Sequence, residues 1–168
     1  MAFVIREASA GKSLIVAGCY YRQLDDAASR RQAKIVLQAT LSRNWATGSS
    51  GNLPLRYSYS HLADQTWAAV TDQNCRIGID AASDSEFDNA YPLHKVFHDE
   101  EIATGQPARI WSAKEAVAKA LGCGFDAMNP RDIRVQDFAT AIVAESVVLR
   151  VWSQQQPDGV WIAVAYEK

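Results

Sequence analysis

One stretch constrains this chain more than any other: Ile110 to Gly122, IWSAKEAVAKALG. Ile110, Ala113, Val117, Ala120 and Leu121 recur at helical spacing, so the segment from about Pro107 to Leu121 is predicted to be a helix with that face against a core. Gly122 supplies the stop. Glu115 and Lys119 are four apart and share a different face, flanked by the small side chains of Ala116 and Ala118. Two readings follow. The pair is a solvent-facing ion pair worth about 0.3–0.5 kcal/mol, with Ser112-x-x-Glu115 forming a capping box and the helix starting at Ser112. Alternatively, a carboxylate and an ammonium stand side by side where a ligand can approach. Lys114, one residue round the helix, reads as a surface charge.

A second carboxylate sharpens the choice. In RIGIDAA a buried strand, Ile77-Gly78-Ile79, runs into Asp80. Among apolar neighbours a lone carboxylate is costly unless it is paired, hydrogen-bonded or bound to a metal. Oxygen ligands from one strand end and one helix suit a hard cation such as Mg²⁺, whose remaining ligands are water and often phosphate. The plainer reading is a strand-end aspartate that caps a turn. A third stretch, SYSHLADQTWAAV, ends a strand in Ser60 and His61, where a histidine can donate to an anionic oxygen or serve the structure alone.

The rest of the chain reads as mixed. FVIREA and SLIVAGCYY are predicted strands joined by a turn at Ala10-Gly11-Lys12, and residues 25–45 a helix with Asp25 or Asp26 as N-cap. Its apolar positions are read as Ala28, Ala33, Ile35, Val36, Ala39 and Leu41. Strand candidates LRYSYSH, QTWAAVT and CRIGIDAA follow a Gly- and Ser-rich loop, and YPLHKVFHDEEIAT is predicted as a helix ahead of the one at Pro107. DIRVQ, TAIVAESVVLRVWS and VWIAVAYEK are predicted strands, the last two joined by a hairpin at QQPDG. The order points to α+β.

Charge and cysteine content narrow the classes of function. The net charge of −2 argues against a nucleic-acid or membrane partner. Its distribution is uneven: residues 1–44 hold seven basic against three acidic residues, net +4, and the remainder ten against sixteen, net −6. Such a split can hold an anionic ligand on one side and a cation on the other. Cys19, Cys75 and Cys123 show no paired or ligand-like spacing, which argues against a disulfide framework or zinc site. No apolar run suits a membrane span, and MAFVIREASAGK is not expected to be a secretory signal, so a cytoplasmic chain is expected.

Three motifs in this order resemble the 4′-phosphopantetheinyl transferase superfamily: Ser-x-Ser-His (58–61), Ile-Gly-Ile-Asp (77–80) and Trp-Ser-x-Lys-Glu-Ala-x-x-Lys-Ala-x-Gly (111–122). VFHDEE, Val96 to Glu101, resembles the segment between the last two. Trp111-Ser112 and Ser60-His61 look like the longer surfactin-synthetase-activating type, and KALGCGF like the short holo-acyl-carrier-protein-synthase type. The resemblance implies an α+β fold of two pseudo-twofold-related halves in one monomeric chain, residues 1–75 on the coenzyme A side and 76–168 with the metal and catalytic motifs. The implied reaction moves phosphopantetheine from coenzyme A to a serine of an acyl or peptidyl carrier protein. Asp80 and Glu115 would hold Mg²⁺, Glu115 would take the serine proton, and Lys119, Ser60 and His61 would contact phosphate oxygens. Arg30 and Arg31, with Lys34 beside them, either form a solvated helix face or take the 3′-phosphate of coenzyme A, since arginine grips phosphate in a forked geometry. The longer type continues Gly-Ile-Asp-x-Glu, whereas this chain has Ala82, so one direct ligand is missing; water or an acid from Asp84, Glu86 or Asp88 could fill the gap, and the short type manages without it.

Overall fold

The computed structural model describes residues 3–9, 12–20, 26–46, 54–72, 74–87, 91–143 and 146–167, with the backbone alone for the first two stretches and for residue 46. The turn read at Ala10-Gly11 and the candidate cap Asp25 lie outside the described residues. The α+β expectation holds. A four-stranded antiparallel sheet contains β1 (Phe3–Ser9), β2 (Lys12–Tyr20), β3 (Leu55–Leu62) and β4 (Gln65–Asp72), in the order β1-β2-β4-β3. A five-stranded antiparallel sheet contains β5 (Ile77–Ser83), β6 (Ile133–Gln136), β7 (Thr140–Val143), β8 (Val147–Gln155) and β9 (Val160–Tyr166), in the order β5-β9-β8-β7-β6.

Each sheet carries one long helix. On the first lies α1 (Ala27–Ala46), started by Asp26, whose carboxylate accepts from Ser29 N at 2.8 Å. Its buried stripe is Ala33, Leu37, Leu41 and Trp45, packed on Ala68, Val70, Tyr57 and Tyr59. This corrects the sequence reading, because Ile35 and Val36 are 55% and 39% exposed and Ala28 and Ala39 face outward. A four-residue step follows the sheet, whereas the apolar positions read from the sequence wander round the helix.

The second sheet is covered by α4 (Pro107–Ala120), preceded by α2 (Leu93–Val96) and α3 (Asp99–Ile102). The single helix expected over YPLHKVFHDEEIAT is broken at Phe97, whose extended backbone (ψ 156°) turns its ring into the core at 1% exposure. The strand expected from Thr140 to Ser153 is likewise two strands, β7 and β8. α4 begins at Pro107 and not at Ser112, whose hydroxyl donates to Arg109 O at 3.0 Å inside the helix, so no capping box forms there. The core between α4 and its sheet is built from Ile110, Ala113, Val117 and Ala120 against Ile133, Val135, Leu149, Val151, Ala163 and Ala165.

Strand alternation joins the two layers. Trp67 and Ala69 of β4 meet Ile77, Ile79 and Ala81 of β5 and Ile162 and Val164 of β9, so the two sheets share an apolar interface. The opposite face of β5 carries Gly78 against α4. A Cβ built there would lie 1.9 Å from Ala116 O and 2.6 Å from Ala120 N, so helix and strand backbones meet with no side chain between them. Gly78→Ala is expected to destabilise the fold by about 2–4 kcal/mol, at the upper end of overpacking because the obstacle is backbone. Denaturant unfolding measures this, and a variant within about 0.5 kcal/mol of the parent would disprove the contact.

Candidate active site

β5 is the edge strand of its sheet that faces β3, yet no ladder joins them. Side chains complete the edge. Ser58 Oγ accepts from Ile79 N at 3.0 Å, and Ser60 Oγ accepts from Ala81 N at 3.2 Å. Both serines point toward β5 because they are two apart on β3, and both are buried. Ser60 then donates to Asp80 Oδ1 at 2.8 Å. The role of Ser58 was missed from sequence, although its period-two spacing with Ser60 is the signal that could have found it.

Lys119 closes the junction from above. Its Nζ lies 2.7 Å from Asp80 Oδ1, 3.2 Å from Ile79 O and 3.3 Å from Tyr59 O, so one ammonium ties α4 to β5 and to β3. The Glu115–Lys119 face of α4 therefore looks toward the seam and not into open solvent. Glu115 itself is half-buried, and among the described residues no donor pairs with its carboxylate. Burial and the neighbouring charge of Asp80 push the Glu115 carboxyl up, while Lys119 draws it partly back. Burial also pushes Asp80 up, opposed by Lys119, Ser60 and the Ala81 amide. Two carboxylates thus share one ammonium and stand in each other's field.

That imbalance is the test of whether a cation suits the site. A pair of oxygen donors with surplus negative charge, one on a rigid strand and one on a helix, fits a hard divalent ion. Asp84 and Glu86, read as replacements for the acid missing at position 82, are exposed, and Glu86 Oε1 is occupied by Ser83 N at 2.7 Å. Asp88 lies outside the described residues. Ala82 is fully buried, so the strand position beside Asp80 is packed shut. Among the described residues no third acidic, histidine or cysteine side chain joins the pair.

The remaining candidates lie elsewhere. His61 alternates to the other face of β3, with Tyr57 and Tyr59, and its Nδ1 is 2.9 Å from Thr66 Oγ1. That face looks toward α1, where Lys34 Nζ sits 5.4 Å from the Tyr59 ring centre. Arg30 and Lys34 follow the sheet-facing stripe of α1, whereas Arg31 is turned away by helical spacing, and all three are exposed. Beside Glu115, one turn earlier, Trp111 is packed among Phe125 at 5.0 Å, Phe97 at 6.1 Å and Phe87 at 6.3 Å. Tyr91, against Phe87 at 4.9 Å, has its phenol pushed up by burial and by the charges of Glu86 and Glu115.

Lys114 overturns its sequence reading. It is fully buried, with Nζ 2.9 Å from Glu101 Oε2, 2.9 Å from Pro130 O and 2.6 Å from Ile133 O. Burial makes its charge costly and pulls its pKa down, while Glu101 supports the charged form. Adjacency to Glu115 concealed this, because the partners come from α3 and from the approach to β6.

Comparison with protein families matches residues 76–164, just over half of the chain, to the 4′-phosphopantetheinyl transferase superfamily. The chain belongs to that superfamily. The match spans β5 to β9 and includes Asp80, Glu101, Glu115 and Lys119. Membership places this transferase within phosphopantetheine transfer, with coenzyme A and a carrier protein as the general partners. Comparison with curated proteins gives no match. Among the described residues no helix of the transferase is long and apolar enough to cross a membrane.

The electrostatics of the pair give a stability prediction. A carboxyl group whose folded pKa exceeds its unfolded value binds its proton more tightly when folded. Its cost to stability is absent below the unfolded value, grows as pH rises between the two, and is full above the folded value. Glu115→Gln is expected to be more stable than the parent at neutral pH in metal-free buffer, with the gain vanishing as pH falls toward the ordinary value of 4.5. Denaturant melts at two pH values read this out, and a gain that persists unchanged in acid would contradict it.

Proposed function

We propose that this chain transfers 4′-phosphopantetheine from coenzyme A to a serine hydroxyl of an acyl or peptidyl carrier protein, with Mg²⁺ as cofactor. The reading rests above all on the convergence of Asp80, Glu115 and Lys119, two carboxylates and one ammonium at the seam between the sheets. Residues 1–75 and 76–168 form the two halves of this proposal, and the division of the strands between two sheets supports it. The chain is expected to act as a monomer in the cytoplasm.

Asp80 and Glu115 would hold Mg²⁺. Bound there, the ion supplies neutralisation of diphosphate charge. Glu115, directly or through a water, would take the serine proton: its carboxyl is half-buried and engaged by no donor among the described residues. The serine oxygen bonds to the β-phosphorus, the bond from that phosphorus to the bridging oxygen breaks, and 3′,5′-ADP departs with the electron pair. Lys119 would bring positive charge to the phosphate oxygens that gain negative charge as the bond breaks. Ser60 keeps Asp80 oriented. His61 and the basic side of α1, Arg30 with Lys34 beside it, would take the 3′-phosphate end of coenzyme A, and Arg31, which helical spacing turns away from that face, would join them only through its long side chain.

Mass spectrometry of apo-carrier proteins incubated with coenzyme A tests the proposal. The parent is expected to add phosphopantetheine, EDTA to stop the reaction and Mg²⁺ to restore it. Asp80→Asn and Glu115→Gln are each expected to lower kcat by about 10²–10⁴-fold with the fold intact. Failure of a carrier panel to gain mass, with coenzyme A still bound, would favour a non-catalytic relative that binds coenzyme A or a carrier.

A further inference from the structure

A second, buried ion pair on α4, Lys114 with Glu101, has no part in the proposed chemistry. Lys114 is a third of a turn round the helix from the Glu115–Lys119 face, and both it and Glu101 are sealed from solvent, at 0% and 1% side-chain exposure. Every direction around them is satisfied. Lys114 reaches Glu101 Oε2, Pro130 O and Ile133 O, while Glu101 also accepts from His98 N at 2.8 Å and from Val135 N at 2.8 Å. A pair so placed is weak support for stability, because desolvation offsets most of the attraction. It is directional, however, and acts beside the other directional ties of α4, the Lys119 bonds at the seam and the Arg109 Nε bond to Ser153 Oγ at 2.9 Å. Apart from Lys114, its buried surface is mostly small, Ala108, Ser112, Ala113, Ala116, Ala118 and Ala120, with Ile110 and Val117 larger. Alanines slide over a strand backbone where larger side chains would interlock. Ile110, one turn before Lys114, also lines a groove of about 540 Å³ together with Glu101, Val135 and Phe138.

We propose that Lys114 and Glu101 are a positioning pair whose bonds to α3 and β6 set the rotation of α4 about its axis, and thereby the direction in which Glu115 faces Asp80. Two ammonium groups then hold one smooth helix from two sides, Lys119 at the seam and Lys114 at the α3–β6 side. This inference rests on the transferase reading above, and its test separates the two.

The experiment compares the parent, Lys114→Met and the double variant Glu101→Gln/Lys114→Met, by thermal melt and by carrier-protein mass spectrometry across coenzyme A concentrations. The single variant strands a buried carboxylate and is expected to melt early. The double variant removes both charges and keeps an amide oxygen for Val135 N, while His98 N, Pro130 O and Ile133 O lose their partners, so it is expected to melt cooperatively, below the parent and above the single variant. Its kcat is expected to fall about 10–100-fold with KM for coenzyme A within about twofold, the signature of misplaced chemistry with binding retained. A stable double variant with the parent's kcat overturns the inference alone. A double variant that no longer melts cooperatively, or whose loss lies in KM, assigns the pair to folding or binding and overturns it too. A parent that transfers nothing overturns the function first and the inference with it.

Discussion

An unladdered strand edge organises this molecule. β5 pairs with β9 on one side, and on the other its amides at positions 79 and 81 face β3 across a gap that a backbone ladder does not fill. Buried amides left open there would each cost about 1–3 kcal/mol. Ser58 and Ser60 take them instead, and the Lys119 ammonium takes the carbonyl of Ile79 together with that of Tyr59. The two sheets are thus joined by side chains at the place where their strand edges meet. Polar groups collect at the seam because the backbone demands partners, and Asp80 stands among them.

In this arrangement the residues that tie the sheets are the ones the proposed chemistry would use. Lys119 is at once a tie between the sheets and the partner of Asp80, which in the proposed reaction would hold the ammonium in place before any phosphate arrives. Glu115 gains no such partner among the described residues. It stands half-buried in the field of Asp80, a position that costs stability and leaves a basic oxygen ready for a proton. Gly78 makes the pairing feasible, since α4 can bring Lys119 down to the strand only where no Cβ intervenes. The shared apolar interface of Trp67, Ile79 and Val164 then keeps both sheets from shifting beneath the seam.

Much of the candidate site was legible in the sequence because its cues are local. Four-residue spacing puts Glu115 and Lys119 on one face, and a strand running Ile-Gly-Ile into Asp80 announces a carboxylate that needs company. Other features were not legible. The reading of Ile35 and Val36 as core failed because helical periodicity tolerates several stripes, and the sheet beneath α1 chose the one through Leu37 and Trp45. Lys114 looked like every exposed lysine on an alanine-rich helix. Its burial depends on Glu101, thirteen residues earlier, and on two carbonyls near β6. His61 follows Ser60 directly, yet strand alternation turns it to the other face.

By itself, then, the sequence determined the element types, the helix stop at Gly122, and the identity of the acids and the lysine at the seam, because each depends on spacing within a few residues. Only the tertiary structure decided which lysine is sealed and which faces Asp80, that Ala82 is packed shut, and that serine hydroxyls complete the edge of β5. These outcomes depend on which backbone groups lack a ladder partner once the sheets have packed, and that is a property of the assembled fold and not of any segment.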